Sequence, residues 1–294
     1  MKTFYIVIIF VSTLIACSNY SNSEDELPDI SNPEPSKILV TTLINIEAFD
    51  AIDFGNDGYL YAANYSKDIV YKIDRDGNQE VFVSNQDGAA GIDFDSLGNM
   101  YLARYDASDI VVISSSGEQK NIYTNELYGP IGVELDADGN LFVSNHLAFF
   151  VSKIDTEGRL TRLAIPNFPN SSSLTLDHSR NIYVTSYVDG RIIKIDSETG
   201  AVSNFISLPV SGLGYITYAN NELYATNIIG NLVYRITMSG SFEIIAGTGE
   251  AGYKDGPGNF AKLTRPLGIT TNLTGDTLYV ADSKTIRIIT NFLD

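Results

Sequence analysis

Three carboxylates recur in the sequence at nearly equal steps. Asp53, Asp93 and Glu134 are separated by 40 and 41 residues, and each lies in a short apolar stretch. Carboxylates that are brought to one level repel each other unless they are protonated, ion-paired or bridged by a cation. Because a hard cation such as calcium takes oxygen ligands, the set predicts a divalent-cation site. The alternative is that these side chains are solvated or paired with lysine and arginine.

A ring of polar and aromatic residues recurs at the same interval. These residues occupy the third and fourth positions after a repeated aromatic residue. Concave ligand sites combine a few polar groups with apolar walls of this kind. The alternative is that Asn and Asp cap tight turns and that Tyr fills space between repeats. The predicted ligand-binding residues are Asn64, Tyr65, Arg104, Tyr105, Asn145, Tyr187, Asn227 and Asp282.

Histidine offers one candidate for acid–base chemistry. His146 directly follows Asn145 in this ring, whereas His178 falls in a turn that is expected on the opposite face, so His146 is the predicted general acid or base. An ordinary polar contact is the alternative. The sequence contains no Gly-x-Ser-x-Gly elbow, phosphate loop or His-Glu-x-x-His motif, and it therefore leaves open whether the protein is an enzyme.

A repeated pair of strands must position these residues. In residues 91–105 an apolar strand is followed by an Asp/Ser/Gly/Asn turn and a second apolar strand, and this unit occurs six times. Its aromatic residue returns after 40, 41, 41, 41 and 55 residues, and further apolar strands follow each pair. A period of about 40 residues with four short strands is typical of a propeller blade. The sequence therefore predicts an all-β, six-bladed β-propeller of four-stranded blades.

The last blade is incomplete along the chain. The sequence stops after the third strand of the sixth repeat, and an unpaired outer edge would be an aggregation hazard. Residues 37–43 have strand composition and precede the first repeat. They are predicted to be the outer strand of the last blade, so that the propeller spans residues 37–294.

The two faces of the ring differ in their turns. The turns between first and second strands are short, polar and nearly interchangeable, as turns chosen for backbone geometry are. The opposite face, here called the mouth, collects the turns between second and third strands and the crossings between blades. Sequence varies there, and the insertion of residues 247–266 lies there. Function is therefore expected at the mouth.

Charge argues against one class of partner. The chain has 36 acidic and 19 basic residues, giving a net charge of -17 that is spread along its length. A polyanionic backbone is repelled by such a surface, so nucleic acid is not an expected partner.

The N-terminus predicts the cellular location of the protein. A short apolar run ends in Leu-Ile-Ala-Cys17, which resembles a bacterial lipoprotein signal peptide. The resemblance implies that residues 1–16 are removed, that Cys17 is lipidated and that the protein is held at the membrane of the bacterial cell envelope. An uncleaved anchor helix is the alternative. Residues 17–36, poor in apolar side chains, are predicted to be a disordered tether. Their acidic run, residues 23–26, resembles a surface-export signal, with a plain linker as the alternative; outer membrane, periplasmic face and cell surface thus stay open.

The repeats resemble a known group. The pattern Gly-Ile-x-x-Asp-x-x-Gly-Asn-x-Tyr and residues 246–261 resemble NHL repeats, and the wider group that this chain resembles includes the SMP-30/gluconolactonase-like and streptogramin lyase-like propellers. In the gluconolactonase-like enzymes a divalent metal is held by a Glu that opens the first blade, by Asn residues and by an Asp after a second strand. Asp282 matches that Asp, and Asn64, Asn145 and Asn227 share its column. The place of the Glu holds Ala48-Phe49-Asp50.

Two kinds of function follow. The first is a membrane-anchored, extracytoplasmic binding module whose mouth takes a small molecule, a glycan or a protein. The alternative, implied by the resemblance, is a metal-dependent lactone or ester hydrolase, in which a divalent cation such as calcium is held by Asp282 or by the Asp53, Asp93 and Glu134 set. A streptogramin lyase-like enzyme is a weaker alternative.

Overall fold

The computed structural model describes residues 34–46, 50–123, 126–168 and 170–293. Within them, 25 strands form six antiparallel sheets. Five sheets have the order expected of a propeller blade, with strands in sequence from the inner to the outer edge. The strands of blades 1 to 3 are β2 (Ile52–Phe54), β3 (Leu60–Asn64), β4 (Ile69–Ile73) and β5 (Gln79–Ser84); β6 (Ala89–Phe94), β7 (Met100–Arg104), β8 (Asp109–Ile113) and β9 (Gln119–Tyr123); β10 (Pro130–Leu135), β11 (Leu141–Asn145), β12 (Phe150–Ile154) and β13 (Leu160–Ala164).

Blades 4 and 5 repeat this order, and blade 6 is completed from the other end of the chain. A short 3-10 turn, Tyr65–Lys67, follows β3. The remaining strands are β14 (Ser171–Leu176), β15 (Ile182–Ser186), β16 (Arg191–Ile195) and β17 (Val202–Ser207); β18 (Leu213–Ala219), β19 (Glu222–Asn227), β20 (Leu232–Thr237) and β21 (Phe242–Ala246); and, for blade 6, β23 (Pro266–Thr271), β24 (Leu278–Asp282), β25 (Thr285–Thr290), β1 (Leu39–Asn45) and the two-residue β22 (Gly256–Pro257).

The ring closes through the N-terminal strand. β1 pairs antiparallel with β25, with Leu39 opposite Thr290 and Val40 opposite Ile289. The prediction that an N-terminal strand completes blade 6 is confirmed, although the strand runs from Leu39 to Asn45 rather than from 37 to 43. On its outer side β1 also meets β22, which belongs to the inserted segment.

The six innermost strands surround a central channel, and each contacts the inner strand of the next blade. Glycine allows this approach, because a Cβ at Gly91 would overlap the carbonyl oxygen of Ile131, and one at Gly268 would overlap that of Asp50. The inner strands of blades 2 to 6 also contain a register shift near this level, and such an irregularity bends the strand.

The repeated Asp and Asn residues fix the turns on the face opposite the mouth. In blade 2, Asp95 accepts hydrogen bonds from the backbone N–H groups of Leu97 and Asn99 and from the Asn99 side chain. Asp136 with Asn140 and Asp177 with Asn181 repeat the arrangement. These residues are therefore structural, as the sequence predicted for this face.

The hydrophobic core lies within and between the blades. The repeated aromatic side chains Tyr61, Phe142, Tyr183 and Tyr224 are each at most 2% exposed. They pack against neighbouring strands, as in the edge-to-face contact of Tyr61 with Phe82. Among the described residues, no helix is long and apolar enough to cross a membrane. The predicted signal peptide, the lipidation site Cys17 and the tether up to residue 33 lie outside the described residues.

Candidate functional site

Two cavities contain predicted site residues. The first is the central channel, a cavity of about 320 Å³ that is walled by inner strands of all six blades and reaches the turns opposite the mouth at Asn272 and Leu273. The second, here called the mouth pocket, has a volume of about 320 Å³ and is lined by Asp50, Tyr65, Ala90, Tyr105, Ile131 and His146.

Tyr215 lines the first of these cavities. It projects from β18 into the channel, and its side chain is 8% exposed. Its hydroxyl group is buried and has no hydrogen-bond partner among the described residues. Burial raises the pKa of this hydroxyl well above its usual range, and the nearby charge of Asp50 raises it further. Asp50, which lines the mouth pocket, is therefore close to the channel residue Tyr215.

The three predicted carboxylates line the channel below Tyr215. Each is tied to a neighbouring blade. Asp93 accepts hydrogen bonds from Phe94 N at 2.7 Å and from Leu135 N, in blade 3, at 2.6 Å. Asp53 accepts the Thr270 hydroxyl at 2.8 Å.

Glu134 makes the corresponding link to blade 4. One of its carboxylate oxygens accepts hydrogen bonds from the Thr175 hydroxyl at 3.3 Å and from Leu176 N at 3.4 Å. The carboxylates thus fasten adjacent inner strands while facing one another across the cavity.

Burial and mutual repulsion make these groups hard to ionise. Desolvation raises the pKa of Asp53 to about 6 and that of Asp93 to about 8, with the charge of Asp53 adding to the latter. The pKa of Glu134 also lies well above its usual range, because of burial and then the charges of Asp93 and Asp53. These directions are the ones that repulsion within this column would produce, and proton uptake would relieve it.

The channel set does not fit a resident divalent cation. Both carboxylate oxygens of Asp93 are used by backbone N–H donors, which compete for the lone pairs that a metal would need. Over residues 34–46, 50–123, 126–168 and 170–293, no group of three His, Cys, Asp or Glu side chains is arranged to hold a metal ion. The calcium site thus stays a prediction without geometric support.

The predicted asparagines lie at the ends of second strands and are fully buried. Asn64 caps the turn that follows it by accepting a hydrogen bond from Lys67 N at 3.0 Å. Asn145 accepts from Tyr128 N at 2.9 Å, and Asn227 accepts from Gly230 N. Their side-chain polar atoms hold the mouth-face turns, which is the turn-capping alternative described above. They shape the mouth from below its surface.

The two charged members of the same column form ion pairs within their own blades. Arg104 makes a two-pronged pair with Asp109, at 2.7 and 2.6 Å, and both side chains are largely buried. Asp282 is fully buried, accepting a hydrogen bond from Thr264 N at 2.5 Å and pairing with Arg287 at 3.1 Å. Burial raises the pKa of Asp282 to about 6, against the opposing effects of Thr264 and Arg287. Neither side chain faces the mouth pocket.

The next column of the repeat forms the pocket wall. Tyr65, Tyr105 and His146 come from three successive blades, and their rings follow one another around the pocket. The ring centroids are 6.0 Å apart from Tyr65 to Tyr105 and 6.1 Å apart from Tyr105 to His146, both in edge-on arrangements. Tyr187 lies in the same column of blade 4 and is exposed, but it does not line this pocket.

Hydrogen bonds fix the His146 ring. Nδ1 lies 3.1 Å from the carbonyl oxygen of Ser171, and Nε2 lies 3.1 Å from the side-chain amide of Asn170. A carbonyl needs a donor and an amide N–H needs an acceptor, which assigns the proton to Nδ1. Since both nitrogens have partners, His146 presents its ring to the pocket. Its predicted role as a general acid or base stays a prediction.

Asp50 is the pocket residue that the sequence did not single out. Among the lining residues that the structure describes, it supplies the only carboxylate, and it accepts a hydrogen bond from Tyr65 N at 3.3 Å. Burial raises the pKa of Asp50 to about 6, and the Tyr65 N–H lowers it only in part. The sequence feature that could have identified Asp50 is its position at the start of blade 1. It lies next to the repeated positions of the predicted site residues but is not one of them.

Comparisons with known proteins show what the fold resembles. No protein-family model and no curated protein sequence matches this chain. Several solved structures, however, match this chain. Virginiamycin B lyase from Staphylococcus aureus is 21% identical with a TM-score of 0.64, over 86% of this chain and 99% of that one. A gluconolactonase from Xanthomonas campestris is 14% identical with a TM-score of 0.73, over 85% and 89%. An auxiliary nutrient binding protein from Bacteroides ovatus is 17% identical with a TM-score of 0.74, over 87% and 77%.

These similarities establish a shared fold. The chain is a six-bladed β-propeller with the architecture of gluconolactonase-like and virginiamycin B lyase propellers, as the sequence motifs predicted. The same architecture therefore hosts lyase, lactonase and nutrient-binding proteins, and a choice among them must come from the site.

Proposed function

We propose that this protein is an extracytoplasmic binding module that takes a small molecule in the mouth pocket. One observation carries the proposal: three ring side chains from three blades and one desolvated carboxylate converge on a single concavity. Small-molecule sites typically combine apolar walls with a few placed polar groups. The rings supply the wall, and Asp50 supplies the polar group that orients a ligand.

The walls of the pocket are held in place before any ligand arrives. Tyr65 is anchored by its hydroxyl, which donates to Asp106 at 2.9 Å, and His146 is held at both ring nitrogens. Tyr105 packs against the core cluster that contains Ala90 and Leu127. Side chains that are ordered in the free protein lose little conformational entropy on binding, which favours a binding role.

A hydrolase is supported less well by the geometry. The resemblance implied that Asp282 and three asparagines would hold a divalent metal, but these four side chains are buried and bonded inside their own blades. These four side chains are not arranged to bind a divalent metal, so the geometry supports no metal-dependent catalytic step. Metal-dependent turnover of gluconolactone by the purified domain would overturn the binding proposal.

Titration of a ligand panel tests the proposal directly. Saccharides, amino acids and quaternary ammonium compounds are titrated into the purified propeller and followed by calorimetry and by ligand-observed NMR. We expect at least one class to bind, and Tyr105→Leu to weaken that binding. Tyr59→Leu, which removes an exposed tyrosine beside a turn on the opposite face, is the matched control. If no class binds, or if Tyr59→Leu and Tyr105→Leu have equal effects, the mouth pocket is not the site.

We also propose that the propeller is tethered to a membrane of the cell envelope through lipidated Cys17. The lipobox-like sequence before Cys17 and the polar segment after it support this address. Fractionation of cells expressing the full chain tests it. The wild-type chain is expected with membranes and Cys17→Ser in the soluble fraction; a Cys17→Ser chain that stays membrane-bound would argue for an uncleaved anchor helix.

A further inference from the structure

The floor of the mouth pocket carries a negative charge without a counter-cation. Asp50 makes no ion pair with any lysine, arginine or histidine of the described residues, and its only described hydrogen-bond donor is Tyr65 N. The described part of the lining contains no lysine or arginine. Arg104, the cation that the sequence placed nearby, is instead neutralised by Asp109. A desolvated carboxylate without a cation is unfavourable, and a cationic ligand would relieve that cost.

The walls of the pocket attract the same kind of ligand. Faces of aromatic rings are negative, so a cation within about 6 Å of a ring centroid is stabilised, and quaternary ammonium groups are recognised in this way. The Tyr65, Tyr105 and His146 rings line this pocket and contact one another edge-on, at centroid distances of 6.0 and 6.1 Å. Asp106 accepts the Tyr65 hydroxyl and so places a second carboxylate beside this wall. The protein's net charge of -17 acts in the same direction.

The other ligand classes satisfy these groups less completely. A neutral sugar could stack on the rings, but it would leave the charge of Asp50 without a counter-charge. An anion would face Asp50 and Asp106 with no arginine or lysine in the described part of the lining to receive it. An organic cation with apolar substituents satisfies both the carboxylate and the rings.

We propose that the ligand of the mouth pocket is an organic cation of the quaternary ammonium or alkylated amine class, held between the Asp50 carboxylate and the Tyr65, Tyr105 and His146 rings. This inference rests on the proposed binding function and specifies its ligand class.

A pair of isosteric probes separates charge from shape. Choline and its uncharged carbon analogue, 3,3-dimethylbutan-1-ol, are each titrated into the purified propeller. We expect choline to bind about tenfold more tightly than the alcohol. Equal affinities would overturn the cation assignment, because shape alone would then explain binding.

Four variants locate the interaction. Tyr105→Leu removes one ring and is expected to weaken choline binding about fivefold, whereas Tyr105→Phe keeps the ring and is expected to change it less than about twofold. Asp50→Asn keeps an acceptor for Tyr65 N but removes the charge, with an expected loss of about tenfold. Asp138→Asn, which removes a carboxylate from a turn on the opposite face, is the control for net charge and is expected to change affinity less than about twofold. Equal losses in Asp50→Asn and Asp138→Asn would refute a local role for Asp50.

The pH dependence of binding gives an independent readout. The groups that face Asp50 are the Tyr65 N–H, the Tyr215 hydroxyl and the pocket rings of Tyr65, Tyr105 and His146. Since the pKa of Asp50 is about 6, choline affinity should fall as the pH is lowered through 6. Asp50→Asn retains His146 and should abolish this dependence. A pH dependence that survives in Asp50→Asn would assign it to another group and refute the role of Asp50.

The ligand panel also distinguishes a failure of the cation assignment from a failure of the proposed binding function. If a saccharide or an amino acid binds at the mouth and choline does not, the binding module stands and the cation assignment falls. If choline and every other member of the panel fail to bind, both fall.

Discussion

At the residue scale, the channel carboxylates combine two opposing roles. Asp53, Asp93 and Glu134 accept hydrogen bonds that connect adjacent blades, and such links stabilise the ring. Their charges, however, are desolvated and repel each other, which raises the pKa of each group. The protonated set keeps the links and loses the repulsion. Stability should therefore depend on pH in a direction opposite to that of most surface carboxylates.

Removing the charge of Glu134 isolates this effect. Glu134→Gln retains an oxygen for the Thr175 hydroxyl and Leu176 N while removing the ionisable group. The folded-state pKa is above the unfolded one, so the carboxylate destabilises the fold above its ordinary pKa, and the penalty disappears as the pH falls. We expect Glu134→Gln to raise the free energy of unfolding by about 1–2 kcal/mol at pH 8 and to have little effect at pH 4.5.

Urea unfolding of both proteins at the two pH values measures this difference. Glu157→Gln, at an exposed position paired with Arg159, is the matched control and should change the free energy of unfolding by less than about 0.5 kcal/mol. Lower stability of Glu134→Gln at pH 8 would contradict the destabilising role of the Glu134 charge.

At the element scale, β1 is the strand on which ring closure depends. Leu39 and Val40 are adjacent residues of β1, and their side chains point to opposite faces of the sheet. Val40 is therefore fully buried, whereas Leu39 is 40% exposed. Val40→Asp places a charge in the core of blade 6 and is expected to cost at least about 3 kcal/mol of stability. Leu39→Asp makes the same chemical change on the exposed side and should cost less than about 1 kcal/mol. Thermal unfolding compares the two, and equal effects would show that β1 does not close the ring.

A buried cation, Arg287, adds to the strand pairing that attaches the inserted segment to blade 6. Arg287 is fully buried, donates to the carbonyl oxygens of Lys262 and Lys254, and pairs with Asp255 and Asp282. Its position explains why Asp282 is structural: a buried carboxylate at this site requires a buried cation. The insertion thereby becomes part of the ring rather than a free loop.

Replacing Arg287 tests this attachment. Arg287→Met leaves Asp282 buried without its cation and is expected to cost about 3–5 kcal/mol, measured by urea unfolding. Adding Asp282→Asn to Arg287→Met should recover part of that loss, since the uncompensated charge is removed. The control is Arg180→Met, whose exposed pair with Asp138 should contribute less than about 1 kcal/mol. A loss in Arg287→Met no larger than that in Arg180→Met would contradict the assigned role.

At the scale of the whole molecule, the sequence predicted the ring but not which side chains meet. The number of blades follows from the repeat, because each repeat must bury its sheet against the next. The mouth pocket depends on where a side chain points after its turn. Asn64 and Tyr65 are adjacent in sequence, yet the first is buried as a cap and the second is exposed on the pocket wall. Asp50 could not be found by repeat position, since its importance arises from burial without a cation partner.

The acidity of the chain should also affect its overall stability. A net charge of -17 on a compact ring is self-repulsive, and salt screens exposed charges beyond about 8–10 Å. Raising sodium chloride from about 20 mM to about 300 mM is expected to increase the thermal midpoint at pH 8 by about 3 °C, which corresponds to about 1 kcal/mol for a domain of this size. Differential scanning calorimetry measures the change, and sucrose at equal osmolality is the uncharged control. A midpoint that falls with salt would show that attractive surface pairs such as Arg162 with Glu126 outweigh the net repulsion.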